Sequence, residues 1–246
     1  MLRVATYNIK HASQKGIDAV VRLLAPLDAD LLAIQEVDVG VARSGSVDQA
    51  ALLGAALCRV PVFGPAFPYQ GGHYGLLLLS RFPVLRHAVV PLPSRSRDPL
   101  PDGTEPRILL DVELALPAGM LGGESGLRVA VTHLGLGADE RIEQATALLA
   151  RLHGAHRTLV VGDLNEGPGG PAFGLLCDRF VDCLAEAGLS PRATYPAALP
   201  SVSIDQLLRS GDLPAAAAAL RLDSDASDHL PVVVELGAGA TPAVLR

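Results

Sequence analysis

Thr158-Leu159-Val160-Val161-Gly162-Asp163-Leu164-Asn165 is a short apolar run that breaks off into an acid and an amide. Its length and aliphatic character predict a buried strand, and the Asp and Asn predict that the strand ends at a polar edge. The layout recurs along the chain. Leu2–Ile9 carries Asn8 near its end, Leu31–Val37 carries Glu36, and His133 closes Val129-Ala130-Val131-Thr132. Asp205 follows Val202-Ser203-Ile204, and Asp228-His229 precedes the run Leu230–Leu236. A sheet can bring strand ends from distant parts of a chain to one edge, where ligands of α/β sheets gather.

Between these runs the period changes. Val20, Val21, Leu23, Leu24 and Leu27 fall at helical spacing within Ile17–Leu27, and Val47–Leu57 predicts a second helix. Asp139–His153 places Ile142, Ala145, Leu148, Leu149 and Leu152 on one stripe, which predicts a third. Gly75–Ser80 and Val84–Leu92 read as strands. Ile108–Leu116 and Leu127–His133 read as a hairpin closed by the Gly-rich stretch Pro117–Gly126. Pro93–Pro106, with Arg95, Arg97 and Asp98, reads as a long polar, solvated loop, and Ala215–Ala219 as helix or strand. With no repeat or internal linker, residues 1–236 are expected to form one domain and 237–246 a tail.

Composition narrows the function. Of 246 residues, 49% are hydrophobic and 19% charged, which suits a buried core. No run approaches the roughly 20 apolar residues of a membrane span, and the start lacks a signal-peptide layout, so the cytoplasm is the expected location. Cys58, Cys177 and Cys183 lack metal-type spacing and read as buried free thiols. Net charge is −6, and the cations comprise 18 Arg and two Lys without a basic cluster. That disfavours tight binding along a nucleic-acid backbone, and leaves open a small phosphate substrate whose charge a metal ion offsets.

The strand-end residues offer a defined chemistry. Asn8, Glu36 and the Asp residues present hard oxygen atoms, a set that suits Mg²⁺ or Mn²⁺ better than Zn²⁺. Asp163 can activate a water, and Asn165 can hold a phosphate oxygen. His229 can donate to phosphate when a carboxylate such as Asp205 orients it, and His133 adds a second donor or leaving-group acid. Phosphoryl transfer asks a protein for positioning, metal and charge. Singly, each residue also has a structural reading: Asn8 as a turn cap, Asp163-Leu164-Asn165 as a turn, His133 as a satisfied strand end. Jointly those readings require coincidence at six places.

Thr6-Tyr7-Asn8-Ile9, Gln35-Glu36-Val37, Thr132-His133-Leu134, Gly162-Asp163-Leu164-Asn165, Ile204-Asp205 and Ser227-Asp228-His229 follow one another in a characteristic order. In this the chain resembles the endonuclease/exonuclease/phosphatase superfamily, the DNase I-like proteins, from about residue 2 to 236. The resemblance implies a four-layer α/β/β/α sandwich with two mixed β-sheets face to face and helices outside. It implies Mg²⁺-dependent phosphoester hydrolysis, with Glu36, Asn8 and Asp228 at the metal. It also implies Asp163 and Asn165 as the water-activating and phosphate-holding pair, Asp205 with His229 as a supporting dyad, and His133 as a further catalytic histidine.

Arg43-Ser44-Gly45-Ser46-Val47-Asp48-Gln49-Ala50, Tyr74-Gly75, Ser80-Arg81-Phe82-Pro83 and Glu105-Pro106-Arg107 resemble a bacterial phosphodiesterase-like branch. Arg43, Tyr74 and Arg107 are therefore expected at the substrate, and the remaining histidines, His11 among them, at surface or packing positions. Leu76 stands where Asn commonly follows the Gly, and Ser203 and Gln206 flank the Ile-Asp motif where Arg and an aromatic are usual. These departures spare the catalytic set and fall on the substrate pocket. The expected activity is a phosphodiesterase or phosphatase on a small-molecule or lipid-headgroup substrate. A DNA or RNA nuclease is the alternative, and a scaffold lacking Glu36, Asp163 or His229 is disfavoured because all three are present.

Overall fold

Alternation along the strands sorts the apolar side chains into three layers. In a computed structural model describing residues 1–94, 105–123 and 125–237, the chain runs β1 (Leu2–Asn8), α1 (Ile17–Leu24), β2 (Leu31–Val39), α2 (Gln49–Leu57), β3 (Val60–Tyr69) and β4 (Gly72–Ser80). It continues through β5 (Val84–Pro91), β6 (Ile108–Ala115), β7 (Gly126–His133), α3 (Ala138–Arg151), β8 (Thr158–Asp163) and α4 (Pro171–Cys177). The last elements are β9 (Phe180–Asp182), α5 (Cys183–Glu186), β10 (Asp205–Ser210), β11 (Ala216–Arg221) and β12 (Val232–Leu236).

Two six-stranded sheets result, ordered β11-β12-β1-β2-β4-β3 and β5-β6-β7-β8-β10-β9. Each is mixed, since β1 and β2 pair in parallel, as do β7 and β8, among otherwise antiparallel neighbours. Leu2 and Val4 of β1 join Leu31, Leu78, Leu110, Val129, Val161 and Leu207 in the layer between the sheets. Ala5 and Tyr7, one residue out of phase, face the opposite way with Val20 and Leu24 of α1 and Leu53 and Leu57 of α2. Leu109, Ala130, Val160 and Leu208 meet Ala145 and Leu148 of α3 and Phe173 and Leu176 of α4. The period of 2 on strands and 3.6 on helices thus builds the α/β/β/α sandwich.

Some elements escape simple patterning. β3 carries Pro61, Pro65 and Pro68, and its place at a sheet edge accommodates the missing N–H groups. The alanine run is strand β11, also an edge, paired with β12 across a bulge at Ala216/Ala218. Cys58, which caps α2 in a left-handed conformation, is exposed and Cys177 half-buried rather than buried, whereas Cys183 is buried. Arg95, Arg97 and Asp98, and the tail beyond Gly237, lie outside the described residues. Among the described residues no helix is long and apolar enough to cross a membrane.

Candidate active site

Strand register delivers three polar side chains to one edge of the second sheet. His133 of β7 is the parallel partner of Asp163 in β8, and Asp205 of β10 is the antiparallel partner of Asp163. Directly opposed residues project on the same side of a sheet, so the three side chains converge. The first sheet contributes Asn8 from the end of β1 and Glu36 from β2. Pairing of β2 with β4 slips between Ile34 and Val37, and Glu36 takes a left-handed φ of 59° in that bulge. The bulge re-aims the carboxylate out of the strand's alternation. His229 comes from the segment before β12, which Ser227 ties to β1 through a 2.7 Å bond from its hydroxyl to the Asn8 carbonyl.

Asp163 is the hub. Its Oδ2 accepts from Asn8 Nδ2 at 3.0 Å and lies 3.4 Å from His133 Nε2 and 3.7 Å from His229 Nε2. Its Oδ1 accepts from the Asn165 backbone N–H at 2.8 Å. The other ring nitrogen of His229 stands 2.9 Å from Asp205 Oδ2. Asp205 is fully buried, and its second oxygen has no hydrogen-bond partner. The ring of Tyr195 packs 4.8 Å from that of His229.

Electrostatics follow from this geometry. Burial and the nearby Asp205 charge push Asp163 up to about 7, against the opposing pull of His229, Asn165 and Asn8. Burial alone would lower His229, yet the charge and hydrogen bond of Asp205, with Asp163 and Asp228 behind it, raise it to about 10. At neutral pH His229 is therefore an imidazolium between two acids. His133 goes the other way, driven well below its ordinary value by burial and by Arg107. Arg107 Nη1 lies 3.1 Å from His133 Nδ1, and a guanidinium can only donate. His133 is thus neutral, accepting at Nδ1 and carrying its proton at Nε2, toward Asp163. Asn165 Nδ2, 3.2 Å from the same Nε2, gives its hydrogen to the Leu134 carbonyl at 2.8 Å.

The expected metal ligands do not share one geometry. Glu36 keeps 23% of its side-chain surface exposed. Burial raises its pKa, but the His11 and Asn8 side chains and the positive charge of Arg107 outweigh that and draw it below the usual carboxylate range. A permanently ionised, partly open carboxylate fits a divalent cation. Asn8, however, turns its amide nitrogen to Glu36 Oε1 at 2.9 Å, while its oxygen accepts from the Lys10 backbone N–H at 3.0 Å. In this arrangement Asn8 orients Glu36 and offers no oxygen beside it. Asp228 is likewise engaged, 2.7 Å from Lys10 Nζ. Among the described residues, the acidic and histidine ligand atoms that cluster within 4.8 Å belong to Asp163, Asp205 and His229.

Arg107, Tyr74 and Arg43 form a second, adjoining group. Arg107 also pairs with Glu105 at 3.1 Å, and a crevice lined by Tyr74, Arg107 and His133 joins it to the hub. Tyr74 is buried and hydrogen-bonds Glu105. Arg43 lies 5.3 Å over the Tyr74 ring and 4.8 Å over Tyr69, with its fork spent on Asp38 through two 2.9 Å bonds. Glu105 and Asp38 are members of the site that sequence reading passed over. So is His11, whose ring faces Glu36.

The sequence profile of the Endonuclease/Exonuclease/phosphatase family matches residues 5–229. None of the curated protein sequences matches the chain. Among solved structures, a functionally unknown conserved protein from Enterococcus faecalis superimposes with a TM-score of 0.78 at 22% identity, covering 97% of this chain and 100% of its own. A mannosyl-6-phosphatase of Bacteroides thetaiotaomicron gives 0.72 at 16% identity over 96% and 100%. The human Nocturnin catalytic domain with bound sulfate gives 0.70 at 20% over 95% and 93%. At these identities the likeness is one of fold.

Proposed function

The chain belongs to the endonuclease/exonuclease/phosphatase family, whose members hydrolyse phosphoester bonds, and from that premise we propose that it is a divalent-cation-dependent phosphodiesterase or phosphatase acting on a small-molecule or lipid-headgroup ester. One observation carries this reading: Asp163, a buried carboxylate fixed by the Asn8 amide and the Asn165 N–H, stands with its Oδ2 3.4 Å from His133 Nε2 and 3.7 Å from His229 Nε2. Burial and the Asp205 charge raise the basicity of this carboxylate, in the direction that water activation needs. Asp163 Oδ2 takes the proton of the attacking water, with the Asn8 amide and the Asn165 N–H fixing the carboxylate. His229 Nε2–H, held by Asp205, faces the phosphate as a charged donor. His133 Nε2–H and the Asn165 amide supply neutral donors to phosphate or leaving-group oxygens. A cation bound at Glu36 would add Lewis-acid charge against the phosphate. Arg107 positions His133, and with Tyr74 and Arg43 it borders the substrate.

Net charge of −6 disfavours a long polyanionic substrate. The test is hydrolysis of bis-p-nitrophenyl phosphate, p-nitrophenyl phosphate, phospholipid and plasmid DNA with added Mg²⁺ or Mn²⁺. Cation-dependent turnover of one of the first three, exceeding any on DNA, is expected. Turnover of DNA alone would favour the nuclease, and turnover of none would reject the reading.

A further inference from the structure

Lys10, His11 and Ala12 adopt three consecutive left-handed conformations, with φ of 47°, 45° and 59°. Non-glycine residues avoid this region, and a run of three persists only where the surroundings impose it. The surroundings here are specific. Gln49, a buried side chain of α2, donates to the His11 carbonyl at 2.8 Å and accepts from the Asp38 N–H at 2.9 Å. One amide therefore clamps the turn after β1 to the bulged end of β2. Glu36, in that bulge, is left-handed as well. Both irregularities point the same way, bringing the His11 ring to the Glu36 carboxylate.

The two groups meet at ion-pair distance, beyond the length of a hydrogen bond. His11 Nδ1 is buried, has no hydrogen-bond partner, and stops 3.8 Å from Glu36 Oε2. A hydrogen bond would close to about 3 Å. Two ligand atoms each about 2.1 Å from a shared ion can stand up to about 4.2 Å apart, so this gap is one that a cation spans. Asn8, meanwhile, has its oxygen committed to Lys10. We propose that His11 Nδ1 is a ligand of the divalent cation held by Glu36, so that the site is mixed nitrogen and oxygen and selects Mn²⁺ over Mg²⁺. Imidazole is a good ligand for first-row transition ions, whereas Mg²⁺ prefers oxygen. This inference rests on Glu36 being the cation site.

The test is binding rather than turnover. Mn²⁺ and Mg²⁺ are titrated calorimetrically into the whole protein and its variants, and ¹⁴N coupling to bound Mn²⁺ is read by pulsed electron paramagnetic resonance. The wild type should show ¹⁴N coupling and bind Mn²⁺ at least ~10-fold more tightly than Mg²⁺. His11→Gly removes the ring and relieves the left-handed backbone, so its thermal midpoint should hold or rise. Its Mn²⁺ affinity should nevertheless fall at least ~10-fold, with Mg²⁺ affinity far less affected. His11→Asn, which tolerates the same backbone, should lose ¹⁴N coupling while still binding both ions. Wild-type Mn²⁺ affinity or persistent coupling in His11→Gly would overturn the assignment of His11. If Glu36→Gln abolishes binding of both ions while His11→Gly changes neither, only the His11 ligand falls. If Glu36→Gln also binds Mn²⁺ normally, the Glu36 site itself is wrong and both fall.

Discussion

His229 holds its proton to a higher pH than a free imidazole, and that proton is linked to folding. Its pKa rises from 6.5 to about 10 because the Asp205 and Asp163 charges prevail over burial. A raised pKa stabilises the folded state fully below the unfolded value, and the stabilisation disappears as pH climbs through the folded value. The window here runs from about 6.5 to about 10. We predict that, with chelator present, the gap in thermal midpoint between wild type and His229→Gln is widest near pH 6. It should shrink toward pH 10 by at least ~3 °C, the worth of about one pKa unit in a chain of this size. A gap independent of pH would show that the Asp205–His229 contact carries no proton linkage. The pairing of Asp205 with His229 across 24 positions was implied by the family resemblance and by the need of a strand-mouth histidine for an orienting carboxylate. The approach of His11 to Glu36 was not, since it depends on three left-handed residues that no side-chain pattern announces. The orientation of Asn8 is equally hidden: residue type shows an amide, and only the Lys10 N–H decides which end faces the carboxylate.

Strand β8 must come very close to β7 for His133 and Asp163 to meet, and Gly162 makes that possible. A Cβ at Gly162, where φ is 145°, would sit 1.9 Å from the Thr132 carbonyl oxygen. Backbone on both sides leaves little room to yield. Gly162→Ala should therefore destabilise the protein by ~2 kcal/mol or more and lower turnover by moving Asp163. Gly174→Ala, on the exposed face of α4 with nothing within 4 Å, should be neutral or mildly stabilising. Equal midpoints for the two variants would mean that the close approach is not needed. α1 and α3, with their helical stripes, and also α2 and the β6–β7 hairpin lie within a few residues of their expected bounds. β3 was hidden by its three prolines, which only an edge position explains. β10 was missed beyond its first residue, Asp205. Its apolar pattern is broken by Gln206, Arg209 and Ser210, which are buried yet satisfied by neighbours such as Arg192 and Glu186.

Across the whole molecule, two sheets and the segment before β12 bring different parts of one polar cluster together. The first provides Asn8 and Glu36, the second His133, Asp163 and Asp205, and the segment before β12 closes the set with His229. The order of six short motifs carried the resemblance that implied this sandwich, although Glu36, read as ending its strand, lies in a bulge inside β2. Composition could not specify the adjoining group, where Arg43, Asp38, Tyr74, Glu105 and Arg107 satisfy one another. Asp163 is the point at which both halves meet, through Asn8 on one side and through the two histidines on the other. If Asp163 is the base, its replacement should remove chemistry and leave architecture. The decisive measurement is turnover and thermal midpoint on the same purified Asp163→Asn protein, using the best phosphoester substrate with Mg²⁺ or Mn²⁺. We predict a midpoint near or above that of the wild type, since a carboxylate with a burial-raised pKa is replaced by a neutral amide. Turnover should fall by at least ~10²-fold, the lower end of a positioned base's usual contribution. Near-wild-type turnover with a lowered midpoint would contradict the account, reducing Asp163 to a residue that shapes the end of β8.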